Sequence, residues 1–419
     1  MIKRKIFKSL QDHLSRKEIS LIIGPRQAGK TTLMLLLKEQ LEKEGHPTLF
    51  LNLDIEADAR FFTSQETLIR KIELELGRED GFVFIDEIQR KEDAGVFLKG
   101  IYDMNLPYKY IVSGSGSVEL KRKIHESLVG RKRIFELNTL SFEEVVNFRT
   151  EYRYENKLLD FLSLDLNKAK LLLDDYLLFG GYPRVVLAKN INEKQLEISE
   201  IYQSYLEKDI AYLLQVKKTE ALTNLVKIIA AQTGKLINYS ELSSILGIST
   251  QTVKDYLWYL EKTFILHKLT PYFRNVRKEI RKSPVYYFFD LGLRNYAVGG
   301  FGNLNLPDIG FVFQNFVFNL LREKSSLSPA SIHFWRTGDG AEVDFVVDLV
   351  RELVPIEVKW ASLKRAAVSR SLRNFILQYR PAKSYIVNIS LRETITIGKT
   401  EIHFIPFHEL MGLNMQESL

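Results

Sequence analysis

A run of eight residues near the start of the chain has the types and spacing of a phosphate-binding loop, G-x-x-x-x-G-K-[ST]. The run is Gly24-Pro25-Arg26-Gln27-Ala28-Gly29-Lys30-Thr31. Glycines let the backbone curl so that its N–H groups point at phosphate oxygens, and the start of the following helix adds positive partial charge. Lys30 would reach the β and γ phosphates, and the Thr31 hydroxyl would ligate Mg²⁺. A nucleoside triphosphate site is therefore expected, the alternative being a glycine-containing turn before an ordinary helix.

The flanking sequence favours the phosphate loop over the plain turn. An apolar, strand-like run, Ile19–Ile23, precedes the motif, and a helical run, Thr32–Lys38, follows it. This order of strand, loop and helix is the context that the motif requires. Thr32, the first residue of the helical run, is counted with the loop among the predicted nucleotide contacts.

Two acidic residues end a second apolar run. Gly81–Ile85 is typical of a buried parallel strand, and it leads into Asp86 and Glu87. Asp86 is predicted to hold Mg²⁺ through its water shell, and Glu87 is predicted to polarise the attacking water. The same letters occur often by chance, but their position after a phosphate loop favours a Walker B segment.

Ser113 and Arg131 complete the predicted catalytic set. Ser113 stands at the end of another strand-like run, where ligands bind in open α/β sheets, so it could sense the γ phosphate. Arg131 precedes the strand-like run 133–137, and an arginine near the γ phosphate accelerates phosphoryl transfer strongly. A loop serine and a surface charge are the alternative interpretations. Arg131 could act in its own subunit or in a neighbour's.

The elements that must position these residues alternate between strand and helix through residues 1–150. This pattern predicts an α/β P-loop ATPase domain with a mainly parallel sheet and helices on its faces. Residues 151–215 have helical periodicity, broken at Gly180-Gly181-Tyr182-Pro183, and are expected to form a helical lid or connector.

Residues 216–290 are predicted to form a winged-helix domain. Gly247 supplies a turn and Ser249 caps the helix that follows, as in a helix-turn-helix motif. Three residues of that helix are expected to face a DNA major groove: Thr250, Gln251 and Lys254. A basic run beside aromatic residues would form the wing and contact DNA phosphates: Arg274, Arg277, Lys278, Arg281 and Lys282. The alternative is a module that contacts protein.

Residues 291–419 are expected to form a restriction-endonuclease-like α/β domain. Asp344 is followed by Glu357-Val358-Lys359, a D…E-x-K arrangement in which two carboxylates hold Mg²⁺ and the lysine activates water. Period two puts Glu342 on the strand face of Asp344, and Glu357 on that of Lys359. Gln314 stands where the nuclease pattern usually has a glutamate, and a neutral amide weakens metal binding. An active nuclease site and a scaffold with a Glu357–Lys359 ion pair therefore both stay open.

Seven stretches of the sequence form a specific combination: GPRQAGKTTL, IDEIQ, VSGSGS, LVGR, ELNTLSFEEV, FGGYPRVV and YLEKDI. The combination resembles the AAA-type ATPases that occur beside a DUF4143 domain in bacteria and archaea, and it extends over nearly the whole chain. The resemblance implies an AAA+-like core that uses ATP rather than GTP. It also implies a role for Arg131, a recurring position, and it marks Arg26 and Gln89 as signature positions.

Composition excludes several kinds of site. The chain has no cysteine, which excludes disulfides, iron–sulfur clusters, thiolate zinc sites and a cysteine nucleophile. No apolar run approaches the roughly 18 residues of a membrane span, and no signal-peptide core follows the basic start. A cytoplasmic protein without a membrane partner is expected. The net charge of +7 permits a polyanionic partner.

The sequence therefore predicts a Mg²⁺-dependent ATPase in which ATP hydrolysis moves the winged-helix and nuclease-like domains, with DNA as the expected partner. Two other functions stay open. One is a nucleotide-switched signalling or scaffold protein that binds another protein and has a catalytically silent C-terminal domain. The other is an ATP-gated, Mg²⁺-dependent nuclease. A homo-oligomer is a further expectation.

Overall fold

A computed structural model of the chain describes residues 2–115, 127–204, 219–273, 283–303, 305–325 and 330–413. The chain divides into two compact units. Unit 1 comprises Met1–Leu140, Tyr182–Arg184 and Trp258–Ile265. Unit 2 comprises Ser141–Gly181, Val185–Leu257 and Leu266–Leu419. The predicted basic wing, from Arg274 to Lys282, lies outside the described residues.

Unit 1 contains a five-stranded sheet in the order β2-β3-β4-β1-β5, and every pair of neighbours is parallel. The strands are β1 (Ile19–Gly24), β2 (Thr48–Asn52), β3 (Gly81–Asp86), β4 (Tyr108–Ser115) and β5 (Lys132–Glu136). Parallel pairing brings the carboxyl ends of all five strands to one edge, which we call the carboxyl edge. The predicted parallel α/β sheet is confirmed.

The helices of unit 1 pack on this sheet. They are α1 (Ile6–Asp12), α2 (Lys30–Lys43), α3 (Glu56–Ala59), α4 (Gln65–Leu76) and α5 (Ala94–Asp103). On α2, Leu33, Leu37 and Leu41 recur every four residues and are buried, and they join a core that includes Ile22 and Phe135 of the sheet. This packing fixes the start of α2, and so Lys30, at the carboxyl edge.

Further helices follow the sheet of unit 1 along the chain. They are α6 (Phe142–Arg149), α7 (Leu158–Leu164), α8 (Leu166–Phe179), α9 (Pro183–Leu187) and α10 (Ile191–Tyr202). Helix α6 begins with a capping box: Ser141 accepts a hydrogen bond from the Glu144 N–H, and the Glu144 carboxylate accepts one from the Ser141 N–H. The sequence between α8 and α9, which breaks the helical periodicity, is the Gly180-Gly181 turn.

That turn fits closely against a second stretch of unit 2. The Gly181 N–H donates to Asp290 Oδ2 at 2.8 Å. Gly180 has φ +70°, and a Cβ there would lie 2.4 Å from Asp290 Oδ1 and 2.5 Å from the Gly292 nitrogen. Only glycine fits such a position, because both the backbone conformation and the space exclude a side chain.

The helix-turn-helix sequence folds as two helices joined at Gly247, which has φ +62°. The local elements are α11 (Thr219–Ala231), α12 (Tyr239–Leu246), α13 (Thr250–Lys262), β6 (Leu266–Leu269) and β7 (Val285–Phe288). The Ser249 hydroxyl accepts from the Thr252 N–H at 3.0 Å, which caps α13. Strands β6 and β7 pair antiparallel.

The C-terminal part of unit 2 contains a six-stranded mixed sheet in the order β12-β13-β11-β10-β9-β8. Its strands are β8 (Ser331–Arg336), β9 (Glu342–Asp348), β10 (Leu353–Val358), β11 (Lys383–Asn388), β12 (Glu393–Ile397) and β13 (Thr400–Pro406). The helices are α14 (Leu291–Ala297), α15 (Ile309–Ser325), α16 (Arg370–Tyr379) and α17 (Glu409–Gly412). Within the part of the chain that the structure describes, no helix is both long and apolar enough to cross a membrane.

Candidate nucleotide-binding site

The phosphate loop joins β1 to α2 at the carboxyl edge of the parallel sheet. Its curl depends on two left-handed residues, Gln27 with φ +58° and Gly29 with φ +93°. Gly29 is also the N-cap of α2, so the first N–H groups of that helix end in the loop. Exposed N–H groups at a helix start form an anion site.

The two glycines of the motif serve different purposes, which corrects the expectation that both allow the curl. Gly24 has no left-handed φ. Instead, a Cβ on Gly24 would lie 1.9 Å from the Leu137 carbonyl oxygen. Gly24 is therefore required by the close approach of the chain leaving β5, whereas Gly29 is required by its backbone conformation.

Lys30 lies inside the loop and is 5% exposed. Its Nζ donates to the carbonyl oxygens of Gly24 at 3.2 Å and Pro25 at 2.9 Å. Burial lowers the pKa of Lys30 to about 8, although the carboxylates of Glu87 and Asp86 oppose that shift. The ammonium is thus held where phosphate oxygens would bind. The carboxylates of Asp86 and Glu87 stabilise its positive charge.

Thr31 and Asp86, which are 55 residues apart, meet across the site. The Thr31 hydroxyl donates to Asp86 Oδ2 at 2.6 Å, and the Ser113 hydroxyl donates to Asp86 Oδ1. Strand β4 lies between β1 and β3, which is why Ser113 reaches the Walker B acid. A hydroxyl and a carboxylate at hydrogen-bond distance form an oxygen donor set that fits Mg²⁺.

Glu87 follows Asp86 in a left-handed conformation, with φ +57°, which is uncommon for a residue other than glycine. Its N–H lies 3.3 Å from the Ser113 hydroxyl oxygen. The Gln89 amide donates to the Glu87 carboxylate. Gln89, a signature position without an expected role, therefore contacts the predicted catalytic carboxylate directly.

Arg131 lies far from this site, so of the two predicted possibilities, action in its own subunit or in a neighbour's, this position disfavours the first. Its carbonyl accepts from the Ile19 N–H at the first residue of β1, so Arg131 lies at the amino edge of the sheet. The guanidinium pairs with Asp103 at the end of α5, at 2.7 Å. The six residues of β1 separate it from the phosphate loop, roughly 20 Å along a strand.

Arg4 contacts the site, although it is not among the residues predicted from the sequence. Its Nη1 donates to the Ala28 carbonyl at 2.8 Å, and its Nη2 donates to the Asn138 carbonyl at 2.6 Å. One guanidinium therefore connects the phosphate loop with the segment after β5. We call this arrangement the Arg4 clamp.

The carboxylates of the predicted C-terminal site are brought together, but each is already hydrogen-bonded. Asp344 Oδ1 accepts from Gln314 Nε2, and Oδ2 accepts from the Val358 N–H, both at 2.7 Å. Glu357 Oε1 pairs with Lys359 Nζ at 2.6 Å, and Oε2 accepts from the Ser369 hydroxyl at 2.8 Å. Glu342 pairs instead with Arg336 at 3.1 Å.

Burial and ion pairing also shift the protonation of this cluster. Burial raises the pKa of Asp344 to about 7. Burial would lower the pKa of Lys359, but its ion pair with Glu357 raises that pKa above its usual value. Across the described ranges, no group of three or more His, Asp or Glu side chains is placed to hold a metal ion. As placed in this structure, the carboxylates of Asp344 and Glu357 are engaged by protein donors and by Lys359.

The predicted DNA-facing residues of α13 lie at the surface. Gln251 and Lys254 are exposed and Thr250 is half-buried. The Gln251 amide donates to Asp255 at 2.9 Å, and Lys254 lies over the Tyr239 ring at 5.5 Å. The exposed face therefore carries both signs of charge.

Comparison with protein families divides the chain into three matches. An AAA domain matches residues 16–146, which contain the phosphate loop, Asp86, Glu87 and Ser113. A domain of unknown function, DUF4143, matches residues 309–410. The chain combines an AAA-type P-loop domain with a C-terminal DUF4143 domain. A second domain of unknown function, DUF8612, matches residues 170–304, between the AAA domain and the DUF4143 domain.

Relatives that align with most of this chain occur in bacteria and archaea. An uncharacterized protein of Mycobacterium tuberculosis is 28% identical over 382 residues, which is 90% of this chain and 78% of that protein. An uncharacterized protein of Methanocaldococcus jannaschii is 23% identical over 422 residues, 96% of this chain and 90% of that protein. Both alignments extend over most of this chain and most of the relative.

Solved structures give weaker likenesses. The Aeropyrum pernix ORC2 protein in its ADP form is 12% identical, with a TM-score of 0.33, over 73% of this chain and 93% of that one. AMPPCP-bound DnaA from Aquifex aeolicus is 14% identical, with a TM-score of 0.28, over 62% of this chain and 90% of that one. At such TM-scores these likenesses carry no argument about function.

Proposed function

We propose that the AAA domain binds ATP with Mg²⁺ and hydrolyses it. The observation that carries the proposal is the Thr31–Asp86 hydrogen bond, because it brings a hydroxyl and a carboxylate together at the start of the helix that carries the buried Lys30. When bound, Mg²⁺ would neutralise charge on the β and γ phosphates, held by Thr31 directly and by Asp86 through water.

The remaining residues of the site have distinct roles in this proposal. Glu87 accepts the proton of the attacking water, and Gln89 keeps the Glu87 carboxylate oriented. Ser113 donates a hydrogen bond to Asp86, and through that carboxylate it responds to the presence of the γ phosphate. Lys30 stabilises the charge that develops on the transferred phosphoryl group.

Arg131 enters the proposal only through a second copy of the chain. Within one chain it lies at the opposite edge of the sheet, so a homo-oligomer that brings this edge to a neighbour's phosphate loop is required for it to act. Its ion pair with Asp103 would then have to open or rearrange.

We further infer that the chain has the four predicted domains. They are a P-loop domain (1–150), a helical connector (151–215), a winged helix (216–290) and a restriction-endonuclease-like domain (291–419). Nucleotide turnover would move the last two domains, with DNA as the expected ligand. Support comes from the helix-turn-helix geometry around Gly247 and the exposed Lys254. Because the face of α13 also carries Asp255, a nucleotide-switched protein scaffold is the second candidate.

The proposal is tested by ATP hydrolysis in the wild type and in Lys30→Ala, Glu87→Gln and Gln89→Ala, each with and without single- and double-stranded DNA. Lys30→Ala and Glu87→Gln are expected to lower the rate about 100-fold or more, and Gln89→Ala to lower kcat roughly tenfold with little change in KM. Lys43→Ala, an exposed lysine on the same helix as Lys30, is the matched control and should leave the rate unchanged.

Hydrolysis that ignores Lys30→Ala would refute an ATPase site in this domain. A Lys30-dependent rate that rises with DNA supports coupling to DNA. A Lys30-dependent rate that DNA does not change favours the scaffold, whose partner would then be sought with the protein locked in one nucleotide state.

A further inference from the structure

The order of the strands indicates on which side of the phosphate loop the base must lie. Thr31, Asp86 and Ser113 surround the Mg²⁺-side of the loop, over β4 and β3. These are the residues proposed to hold Mg²⁺, so the γ phosphate of a bound nucleotide would lie over those strands. The α phosphate, ribose and base would then extend from the other side of β1, which is the side of β5.

The side of β5 is where the Arg4 clamp holds Asn138. Asn138 follows β5 by two residues and is half-buried. Its backbone carbonyl accepts from Arg4, while the other Nη of the same guanidinium holds the Ala28 carbonyl. The clamp thus fixes the backbone of Asn138 within about one guanidinium width of the phosphate loop, independently of the Asn138 side chain.

The Asn138 carboxamide oxygen has no hydrogen-bond partner among the described residues. Its Oδ1 is shielded from solvent and unpaired. A shielded acceptor without a donor destabilises the folded chain, so such an atom in a native structure calls for a partner. The terminal torsion of asparagine has a broad minimum, so the carboxamide can turn toward a ligand without breaking any bond seen here.

We propose that the Asn138 carboxamide reads the adenine base of the bound nucleotide, accepting from N6 and donating to N7. A carboxamide matches that edge of adenine with two hydrogen bonds. The corresponding edge of guanine presents two acceptors, O6 and N7, so one of them would face Oδ1 without a proton. The proposal rests on the proposed ATPase function and assigns the base specificity of the same site.

The test measures equilibrium binding of ATP, GTP, 7-deaza-ATP and inorganic triphosphate to the full chain. The wild type is expected to bind ATP more tightly than GTP or 7-deaza-ATP, which lacks the N7 acceptor. Asn138→Ala should weaken ATP by roughly tenfold or more, leave triphosphate unchanged, and remove the difference between ATP and 7-deaza-ATP. Asn138→Asp, nearly isosteric, removes the donor and should act in the same direction.

Controls separate this proposal from the one on which it rests. Asn192→Ala, an exposed asparagine on α10, should change nothing. Lys30→Ala should weaken all four ligands together, and if it does not, the nucleotide site itself is wrongly placed. The Asn138 proposal is overturned if Asn138→Ala leaves ATP binding intact, if it weakens triphosphate equally, or if the wild type does not distinguish 7-deaza-ATP.

Discussion

At the scale of single residues, burial and two neighbouring acids have opposite effects on the charge of Lys30. The ammonium is buried among loop carbonyls, and burial lowers its pKa to about 8 despite two nearby acids. A triphosphate adds several negative charges at that position, which favours the protonated amine. Binding of nucleotide and binding of a proton are therefore coupled.

This coupling predicts a pH dependence for nucleotide affinity. A lysine whose pKa is lowered is charged below that pKa and increasingly neutral above it, so ATP affinity should fall as the pH rises through about 8. Near that pH, ATP binding should also take up a fraction of a proton. Calorimetry in two buffers of different ionisation enthalpy measures the uptake. An affinity that stays constant from about pH 7 to 9, with no proton uptake, would contradict the prediction.

Local residue types were enough to predict the phosphate loop, Asp86, Glu87 and Ser113, because the motif and its strand context lie in short stretches. Arg4 and Asn138 could not be found in that way, since they are 134 residues apart and meet only in the folded chain. Arg131 is different. It precedes a strand of a parallel sheet, and ligands bind where such strands end. Its place before the strand therefore indicates the edge opposite the ligand.

At the scale of elements, the Gly180-Gly181 turn shows how a sequence break becomes a packing requirement. The helical periodicity predicted only that the helix ends there. The structure adds the reason: Asp290 and Gly292 occupy the space that a side chain on Gly180 would need. Strands β12 and β13 were not predicted, and β12 is an edge strand in which no residue is fully buried.

Gly180→Ala is therefore expected to destabilise unit 2 by more than its backbone conformation alone explains. Gly299 provides a matched control because it has the same φ of +70°, and no atom lies within 4 Å of the place that a Cβ would take there. Gly299→Ala should cost about 1 kcal/mol of unfolding free energy, and Gly180→Ala at least about 2 kcal/mol more. Chemical denaturation measures both. Equal costs would show that the turn relaxes around the added methyl group.

At the scale of the whole molecule, one chain combines an AAA-type domain with a DUF4143 domain whose acidic cluster is internally satisfied. Every carboxylate oxygen of Asp344 and Glu357 has a protein donor or cation. Gln314, which the sequence analysis identified as a departure from the nuclease pattern, is one of those donors. This arrangement favours a DUF4143 domain that binds or assembles without cutting.

The corresponding prediction is that the full chain does not cleave nucleic acid in Mg²⁺, with or without ATP. Gln314→Glu would replace the donor to Asp344 with a carboxylate, and because three acids would then repel one another, it should lower stability by about 1–3 kcal/mol unless a divalent cation is added. Asp344→Ala and Lys359→Ala serve as controls. Mg²⁺-dependent cutting by the wild type that Asp344→Ala abolishes would contradict the prediction.

The contact between Gly24 and the Leu137 carbonyl affects how relatives of this chain should be compared. The first glycine of the motif is demanded by the spacing of two strands, so a descendant that lost nucleotide binding but kept its sheet would still need it. Gly29 and Lys30 serve the loop instead: Gly29 is required by the left-handed conformation of the loop, and Lys30 donates to its carbonyl oxygens. In a family alignment, we therefore expect the first glycine wherever the sheet is kept, and the Gly29-Lys30 pair wherever the phosphate loop is kept.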